Sequence, residues 1–370
     1  MSRTIHFVSL GCPKNAVDTE RMVGIAQDQG LTLTDDQSDA EIIVVNTCGF
    51  IEAAKAESIE TTLALADAKE TGRCQTLIMA GCLSQRYAQA LAQELPEVDH
   101  FLGTTDFDHL KKLLSPRPAS SEAPAVDRVA VSPPEGLEEA AYRRALVGHR
   151  HSAYLKISEG CDRRCAFCSI PLIRGHQRSR TLDSLVAETD ELVRRGTREL
   201  IVVAQDTTAY GSDLPPGEAD LARLLRALDA IEDLHWIRIL YTYPSMIDAP
   251  LAETMASLSK VVPYIDIPVQ HVDDAVLRRM RRGYTGQHAR DALAALRAQI
   301  PGLWVRSTVL VGHPGETPES QQALLRFIEE EQIDHLGAFV FSPEEDTAAA
   351  TQPDPVPQKV AETRRDEVLA

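Results

Sequence analysis

The chain has 370 residues, enough for two domains that each bury a core of their own. Its 38 basic and 55 acidic side chains give a net charge of −17, which repels polyphosphate at long range and disfavours nucleic acid as the main partner. No apolar run approaches the ~20 residues of a membrane helix, so no membrane partner is expected. The amino terminus reads directly as a strand without a signal-peptide pattern. Seven cysteines, an odd number, argue against a secreted disulfide framework, and the expected location is cytoplasmic.

Residues 1–115 alternate strands and helices. Ile5–Leu10 is a short buried-type strand, followed by a helix over Ala16–Gln29 that ends at Gly30. Ile42–Val45 is a β-branched run followed by a long helical stretch over Ile51–Glu70. Thr76–Ala80 is a third strand and Ser84–Glu94 its helix. This βαβαβα order predicts a parallel sheet covered by helices.

Three cysteines hold equivalent positions in that pattern: Cys12 after the first strand, Cys48 after the second and Cys82 after the third. The carboxyl ends of parallel strands share one edge, where ligands bind, so these three converge. Each has a glycine beside it (Gly11, Gly49, Gly81), which lets backbone pass close to a bulky centre. Cys74 precedes its strand, at the opposite edge, and is assigned no ligand role. Ordinary buried cysteines are common; three of them at matching strand ends point to a shared centre.

Residues 116–146 are rich in proline, with Pro116, Pro118, Pro124, Pro133 and Pro134, and read as a linker. A second βα series occupies 147–350. Its strands are Ala153–Ser158, Glu199–Ala204, Trp236–Tyr241, Tyr264–Pro268, Val305–Val311 and Leu336–Phe341. Helical patterns fall between them, over Leu182–Arg195, Asp220–Ile231, Ala249–Leu258, Arg290–Gln299 and Glu319–Glu331. The expected fold class is therefore α/β: an N-terminal parallel βα sheet domain plus an incomplete (β/α)6 barrel. Residues 351–370 carry Pro353, Pro355 and Pro357 and then a charged helical pattern without a stop signal, so the natural chain is expected to continue.

After the first barrel strand stand Cys161, Cys165 and Cys168, spaced CxxxCxxC. This gives three thiolates and no obvious fourth ligand. A structural zinc closes its tetrahedron with four protein ligands. A four-iron cluster held by three cysteines keeps one iron open for a substrate or cofactor. Arg163, Arg164, Arg174, Arg178 and Arg180 surround the motif, and Arg278, Arg279, Arg281 and Arg282 form a second basic group. Two readings stand for these: solvated helix faces paired with the many acids, or charge compensation for an anionic centre.

The run from Glu159 through Cys161, Cys165, Cys168, Ser169, Ile170 and Pro171 to Arg180 closely resembles the radical SAM methylthiotransferases, in the branch that modifies a ribosomal protein. The resemblance extends to Leu10-Gly11-Cys12-Pro13-Lys14-Asn15, Asn46-Thr47-Cys48-Gly49-Phe50, Ala204-Gln205-Asp206-Thr207-Thr208-Ala209-Tyr210-Gly211, Tyr241-Thr242-Tyr243-Pro244, Asp266-Ile267-Pro268-Val269-Gln270-His271 and Phe341-Ser342-Pro343-Glu344-Glu345. It covers nearly the whole chain.

The resemblance implies a radical SAM core barrel over 147–350, a methylthiotransferase domain over 1–115 and two [4Fe–4S] clusters. Cys161, Cys165 and Cys168 would hold the cluster whose open iron chelates S-adenosylmethionine and, once reduced, cleaves it to methionine and a 5′-deoxyadenosyl radical. Cys12, Cys48 and Cys82 would hold an auxiliary cluster that carries the sulfur. The implied substrate is the β-carbon of one aspartate on small-subunit ribosomal protein twelve, with a second S-adenosylmethionine giving the methyl group. An external flavodoxin or ferredoxin would supply electrons. Gln205, Asp206, Gln270, Gly312 and Glu316 correspond to the family's cofactor contacts; no further catalytic residue is assigned. His313 stands where the family has phenylalanine, and Asp346 where glycine is usual. The family's C-terminal TRAM β-barrel is expected to be absent, since no all-β pattern follows the helix at 358–370. Two alternatives remain at this point: a tRNA adenosine methylthiotransferase, which the acidic balance disfavours, and a non-catalytic iron–sulfur or zinc module.

Overall fold

The computed structural model describes residues 3–116, 127–137 and 143–370. The chain divides into two compact units, Met1–Gly148 with Leu172–His176, and His149–Pro171 with Gln177–Ala370. Much of the expected linker, 117–126 and 138–142, lies outside the described residues.

The first unit is built on β1 (Thr4–Ser9), α1 (Pro13–Asp28), β2 (Thr32–Leu33), β3 (Ile42–Thr47), α2 (Glu52–Ala66), α3 (Ala68–Thr71), β4 (Thr76–Gly81), α4 (Cys82–Glu94), β5 (His100–Leu102), α5 (Phe107–Leu114) and β6 (Val129–Ala130). Its strands form one parallel sheet in the order β2-β1-β3-β4-β5-β6. Strand alternation divides the core in two. Ile43, Val45, Leu77 and Met79 face one hydrophobic cluster, while Ile42, Val44, Ile78 and Ala80 face the other. With helices on both faces, β3 is buried at every position, which is why its sequence reads as an unbroken apolar run.

The three long strands agree with the sequence reading, whereas β2, β5 and β6 escaped it because two or three residues leave no period to detect. β6 lies inside the stretch read as linker. Two helices also begin earlier than expected. α1 starts at Pro13, whose fixed φ suits the first helical position, and α4 follows β4 with no intervening loop. The long helix expected over Ile51–Glu70 is interrupted between Ala66 and Ala68.

The second unit contains β7 (Ser152–Lys156), the antiparallel pair β8 (Ser158–Glu159) and β9 (Arg178–Ser179), α7 (Leu182–Arg194), β10 (Glu199–Val203), α8 (Leu221–Asp229), β11 (Trp236–Ile239), α9 (Ala249–Ser257), β12 (Tyr264–Asp266), α10 (Asp274–Arg279), α11 (Gly286–Gln299), β13 (Trp304–Val311), α12 (Pro318–Glu331), β14 (His335–Val340) and α13 (Gln358–Leu369); α6 (Ile170–Arg174) spans the boundary in the chain. The parallel sheets β11-β10-β7 and β12-β13-β14 are joined by the parallel bridge Ile237–Val261 and the bond from Thr242 N–H to Asp266 O, 3.0 Å. The six barrel strands thus follow chain order from β7 to β14, the incomplete barrel expected from sequence. α13 buries Ala361, Arg364 and Val368 and packs on β14, an end strand of this array. Among the described residues no helix is long and apolar enough to cross a membrane.

Candidate metal centres

The strand order 2-1-3 puts the topological switch point of the first sheet between β1 and β3. Cys12 and Cys48 follow those two strands. The register pairs Thr47 with Gly81, so Cys48 and Cys82 leave adjacent strands at the same level. Cys12 caps the amino end of α1 and Cys82 is the first residue of α4, so two of the three thiols lie at the positive ends of helices. The three thiols lie close enough for Cys12 and Cys48 to oppose ionisation of Cys82, and for Cys12 to oppose that of Cys48.

Asn15 braces all three loops. Its Nδ2 donates to Leu10 O and to Thr47 O, both at 3.0 Å, and its Oδ1 lies 3.5 Å from Cys82 Sγ. Arg174, 2% exposed, donates from Nη2 to Asn15 Oδ1 at 2.7 Å and to Cys82 Sγ at 3.2 Å, while Nη1 pairs with Asp18 at 2.8 Å. Gly11 has φ +89°, and a Cβ there would stand 3.0 Å from Cys48 Cβ and 3.2 Å from its Sγ. A Cβ at Gly49 would meet Leu83 Cα at 2.8 Å. Both positions exclude any larger residue because the cysteine loops are packed directly against one another.

The thiols differ in acidity. Burial would raise Cys12, but Lys14, Arg174 and the N–H groups of Asn15 and Lys14 outweigh it and hold the thiol below the ordinary range. Burial pushes Cys82 up to about 11, with Arg174 opposing. Cys74 is buried in the core beside Ala68 and Leu77, with its Sγ 3.6 Å from Thr76 O.

In the second unit, Cys161, Cys165 and Cys168 lie on the loop after β8. The loop closes on itself through Cys168 N–H to Cys165 O, 3.1 Å, and Arg163 N–H to Cys161 Sγ, 3.4 Å. Ala166 anchors it, donating to Met280 O and accepting from Ala349 N–H, both at 2.8 Å. Burial pushes Cys161 up to about 11 and Cys168 up to about 12, and the neighbouring thiols add to both shifts.

Arg282, also buried, places Nη1 at 3.3 Å from Cys165 Sγ. The Tyr243 ring is sandwiched between the guanidiniums of Arg163 at 4.0 Å and Arg282 at 4.3 Å. Of the two basic groups noted in the sequence, Arg174 and Arg282 meet cysteine sulfur directly, whereas Arg164, Arg278 and Arg281 are exposed. The three-dimensional signal for Arg282 is the left-handed turn at Arg281, φ 55°, which directs the next residue inward.

All seven cysteines are free thiols. Among the described residues no three His, Cys, Asp or Glu side chains are arranged to grip a single ion. An iron–sulfur cubane instead distributes its thiolates over separate irons. Each triad matches that demand in its chemistry: sulfur donors, one buried guanidinium at a sulfur and, in the first unit, loops that leave no room for a Cβ beside Cys48.

The expected cofactor contacts all lie just beyond the carboxyl ends of barrel strands, on the same edge as the CxxxCxxC loop. Gln205 donates from Nε2 to Glu159 Oε1 at 2.5 Å, and its own Oε1 is buried without a hydrogen-bond partner among the described residues. Glu159 in turn forms a buried ion pair with Lys156 at 2.7 Å, a pair the sequence reading missed. Gln270 adopts φ 64° and is bonded through its backbone to Thr308 O and Leu310 N–H.

Two of the expected contacts are also bonded within the fold. Asp206 pairs with Arg163 Nε at 2.8 Å and caps the turn at Thr207–Ala209. Glu316 accepts from Gly312 N–H at 2.6 Å on one oxygen and from Arg364 Nη1 at 2.8 Å on the other, so its carboxylate pins the β13 turn to α13. At Gly312 a Cβ would lie 2.3 Å from Ala361 Cβ, which makes this glycine a packing requirement as well.

His313 is fully buried against Phe167 and Phe341, with Nδ1 near Pro314 O at 3.1 Å and Nε2 unpartnered among the described residues. Burial pushes its pKa down to about 4. Asp346 adopts φ 60°, the left-handed conformation that explains the family's glycine there.

Residues 4–103 match the Uncharacterized protein family UPF0004 and residues 155–328 the Radical SAM superfamily. The chain is 47% identical over 370 residues to the ribosomal protein uS12 methylthiotransferase RimO of Anaeromyxobacter sp. (strain K), covering 100% of this chain and 77% of that protein. It is 46% identical over 368 residues to the RimO of Myxococcus xanthus (strain DK1622), covering 100% and 75%. Among solved structures, the radical S-adenosylmethionine methyltransferase TsrM from Kitasatospora setae, with cobalamin and a [4Fe-4S] cluster bound, superposes with TM-score 0.68 at 16% identity, over 94% of this chain and 77% of that one. The cobalamin-dependent radical enzyme OxsB gives 0.59 at 13%, over 100% and 55%. At these identities the two structures speak to the fold alone.

Proposed function

The chain belongs to the ribosomal protein uS12 methylthiotransferase (RimO) family, and from that premise we propose that it is an enzyme that methylthiolates uS12 by radical S-adenosylmethionine chemistry. The finer target in this reading is the β-carbon of one uS12 aspartate, modified in the cytosol. The observation that carries the proposal is the gathering of Cys12, Cys48 and Cys82 at one sheet edge by the Asn15 and Arg174 brace, in a chain that also bears the CxxxCxxC loop.

Cys161, Cys165 and Cys168 hold one [4Fe–4S] cluster, and Cys12, Cys48 and Cys82 the second. When bound, the clusters and S-adenosylmethionine supply the hydrogen-abstracting power and the sulfur that an unactivated C–H bond requires and that no side-chain acid or base provides. Gln205 Oε1, buried and unpartnered, is suited to accept from the cofactor's ammonium group. Gln270 and Gly312 shape the same strand edge. Asp206 acts by holding Arg163 on the cluster loop, and Glu316 by holding the β13 turn. A flavodoxin- or ferredoxin-class protein delivers electrons.

The test is anaerobic incubation of the reconstituted enzyme with S-adenosylmethionine, dithionite and either uS12 or tRNA. The expected products are uS12 heavier by one methylthio group in place of hydrogen, 5′-deoxyadenosine and S-adenosylhomocysteine. Modified tRNA with unmodified uS12 would move the substrate to adenosine. Two loaded clusters with no deoxyadenosine would leave a non-catalytic module.

A further inference from the structure

Two arginines reach cysteine sulfur, and they differ in what else they touch. Arg174 meets Cys82 while also paired with the Asp18 carboxylate at 2.8 Å. Arg282 meets Cys165 with only neutral partners besides: Nη2 donates to Pro268 O at 2.9 Å, Nε donates to Tyr284 Oη at 3.2 Å, and the Tyr243 ring lies at 4.3 Å. No carboxylate is among its partners in the described residues.

The placement is built. Arg281 in the left-handed region turns the chain after α10, and Arg282 N–H returns to Leu277 O at 3.0 Å. Tyr284 is fixed by donating to Val269 O at 2.7 Å, and Tyr243 by donating to Arg282 O. Each guanidinium nitrogen is therefore committed to one direction, and the direction of Nη1 is the sulfur.

Resting on the function proposed above, we propose that Arg282 sets the reduction potential of the centre held by Cys161, Cys165 and Cys168. Passing from [4Fe–4S]2+ to [4Fe–4S]1+ adds one negative charge that is shared with the thiolate sulfurs. The electron comes from the flavodoxin- or ferredoxin-class donor, which is oxidised by one electron. A buried, uncompensated cation 3.3 Å from Cys165 Sγ stabilises the reduced form more than the oxidised one and makes that transfer easier. Arg174 supplies its hydrogen bond to the auxiliary centre from within an ion pair with Asp18. Arg282 is a positioning and tuning residue rather than a catalytic one.

The test is a redox titration of the reconstituted full-length holoenzyme, following by electron paramagnetic resonance the cluster signal that changes when S-adenosylmethionine is added. Arg282→Gln is expected to lower the reduced-to-oxidised ratio at fixed potential by at least about tenfold, about 59 mV for a one-electron couple. Arg282→Lys keeps the charge and is expected to stay within about threefold of wild type. An Arg282→Gln ratio equal to wild type overturns the inference, as does an Arg282→Lys ratio that falls as far as that of Arg282→Gln. If Arg282→Gln takes up no cluster, Arg282→Lys decides alone by the same threshold. A wild-type protein with no signal responsive to S-adenosylmethionine removes the proposed function itself, an outcome distinct from an unchanged potential.

Discussion

Arg174 Nη2 lies 3.2 Å from Cys82 Sγ although 92 residues separate them in the chain. The same guanidinium is tied to Asp18 and Asn15, so one side chain secures both the auxiliary thiols and the first turns of α1. Removing it takes the Arg174 guanidinium away from the buried Asp18 carboxylate. Arg174→Met is expected to cost about 3–5 kcal/mol of stability. It is also expected to reduce iron from about eight to about four per chain. Thermal unfolding and iron analysis check the two effects, and a variant with full iron content would show that Arg174 is dispensable to the centre.

The two triads are expected to load independently. Changing Cys161, Cys165 and Cys168 together to alanine should leave about four irons, with the auxiliary absorption intact and no deoxyadenosine formed. Changing Cys12, Cys48 and Cys82 instead should leave the signal responsive to S-adenosylmethionine. Loss of all iron in either variant contradicts separate sites.

Thiol acidity gives an ordering that needs no metal. In the cluster-free protein near neutral pH, Cys12, held below the ordinary thiol range, should be alkylated by iodoacetamide at least about tenfold faster than Cys82 or Cys168. Thiolate is the reactive form, so raising the pH toward about 11 brings Cys82 up and narrows its gap to Cys12. Peptide mass mapping over time reads the order directly.

Glu316 separates a structural role from a cofactor contact. Both of its oxygens are engaged, and Glu316→Ala leaves Arg364 buried and unpaired. The expected loss is about 3–5 kcal/mol. Affinity for S-adenosylmethionine, measured below the new unfolding transition, should change little. Unchanged stability with weakened cofactor binding would return Glu316 to the contacts implied by resemblance.

Buried His313 makes the protein sensitive to acid. The folded protein keeps it neutral down to about 4, whereas the unfolded imidazole protonates near 6.5. Across that window the unfolded state binds more protons, so stability falls as pH drops from 6.5 toward 4, by up to about 3 kcal/mol from this residue. Above 6.5 the group contributes no slope. His313→Phe should flatten the decline in urea midpoint over that range, while His271, similarly depressed to about 4, continues to contribute. Identical pH profiles would assign the acid sensitivity elsewhere.

The long strands were legible because β3 and β4 are covered on both faces and advertise it as the unbroken apolar runs Ile42–Val45 and Leu77–Ala80. Cys12, Cys48 and Cys82 stood out as a set because they follow β1, β3 and β4 in turn. The braces were not. Asn15 looks like one helix residue among many, yet its side chain spans the ends of β1 and β3. The Lys156–Glu159 pair and the Arg282–Cys165 contact depend on distances that sequence spacing does not encode. Asp206 and Glu316 were visible as strand-end acids, but only their partners reveal that they hold loops in place.

Because Leu172–His176 is counted with the first unit although its chain neighbours on both sides are counted with the second, the amino-terminal half is not a contiguous stretch of polypeptide. A gene fragment that stops at Gly148 would encode the sheet and its three thiols without the guanidinium that meets Asp18 and Cys82. Attempts to dissect this protein into separately produced halves therefore need a graft of that five-residue insert, or a neutral replacement for Asp18, before the isolated sheet domain is a fair reagent.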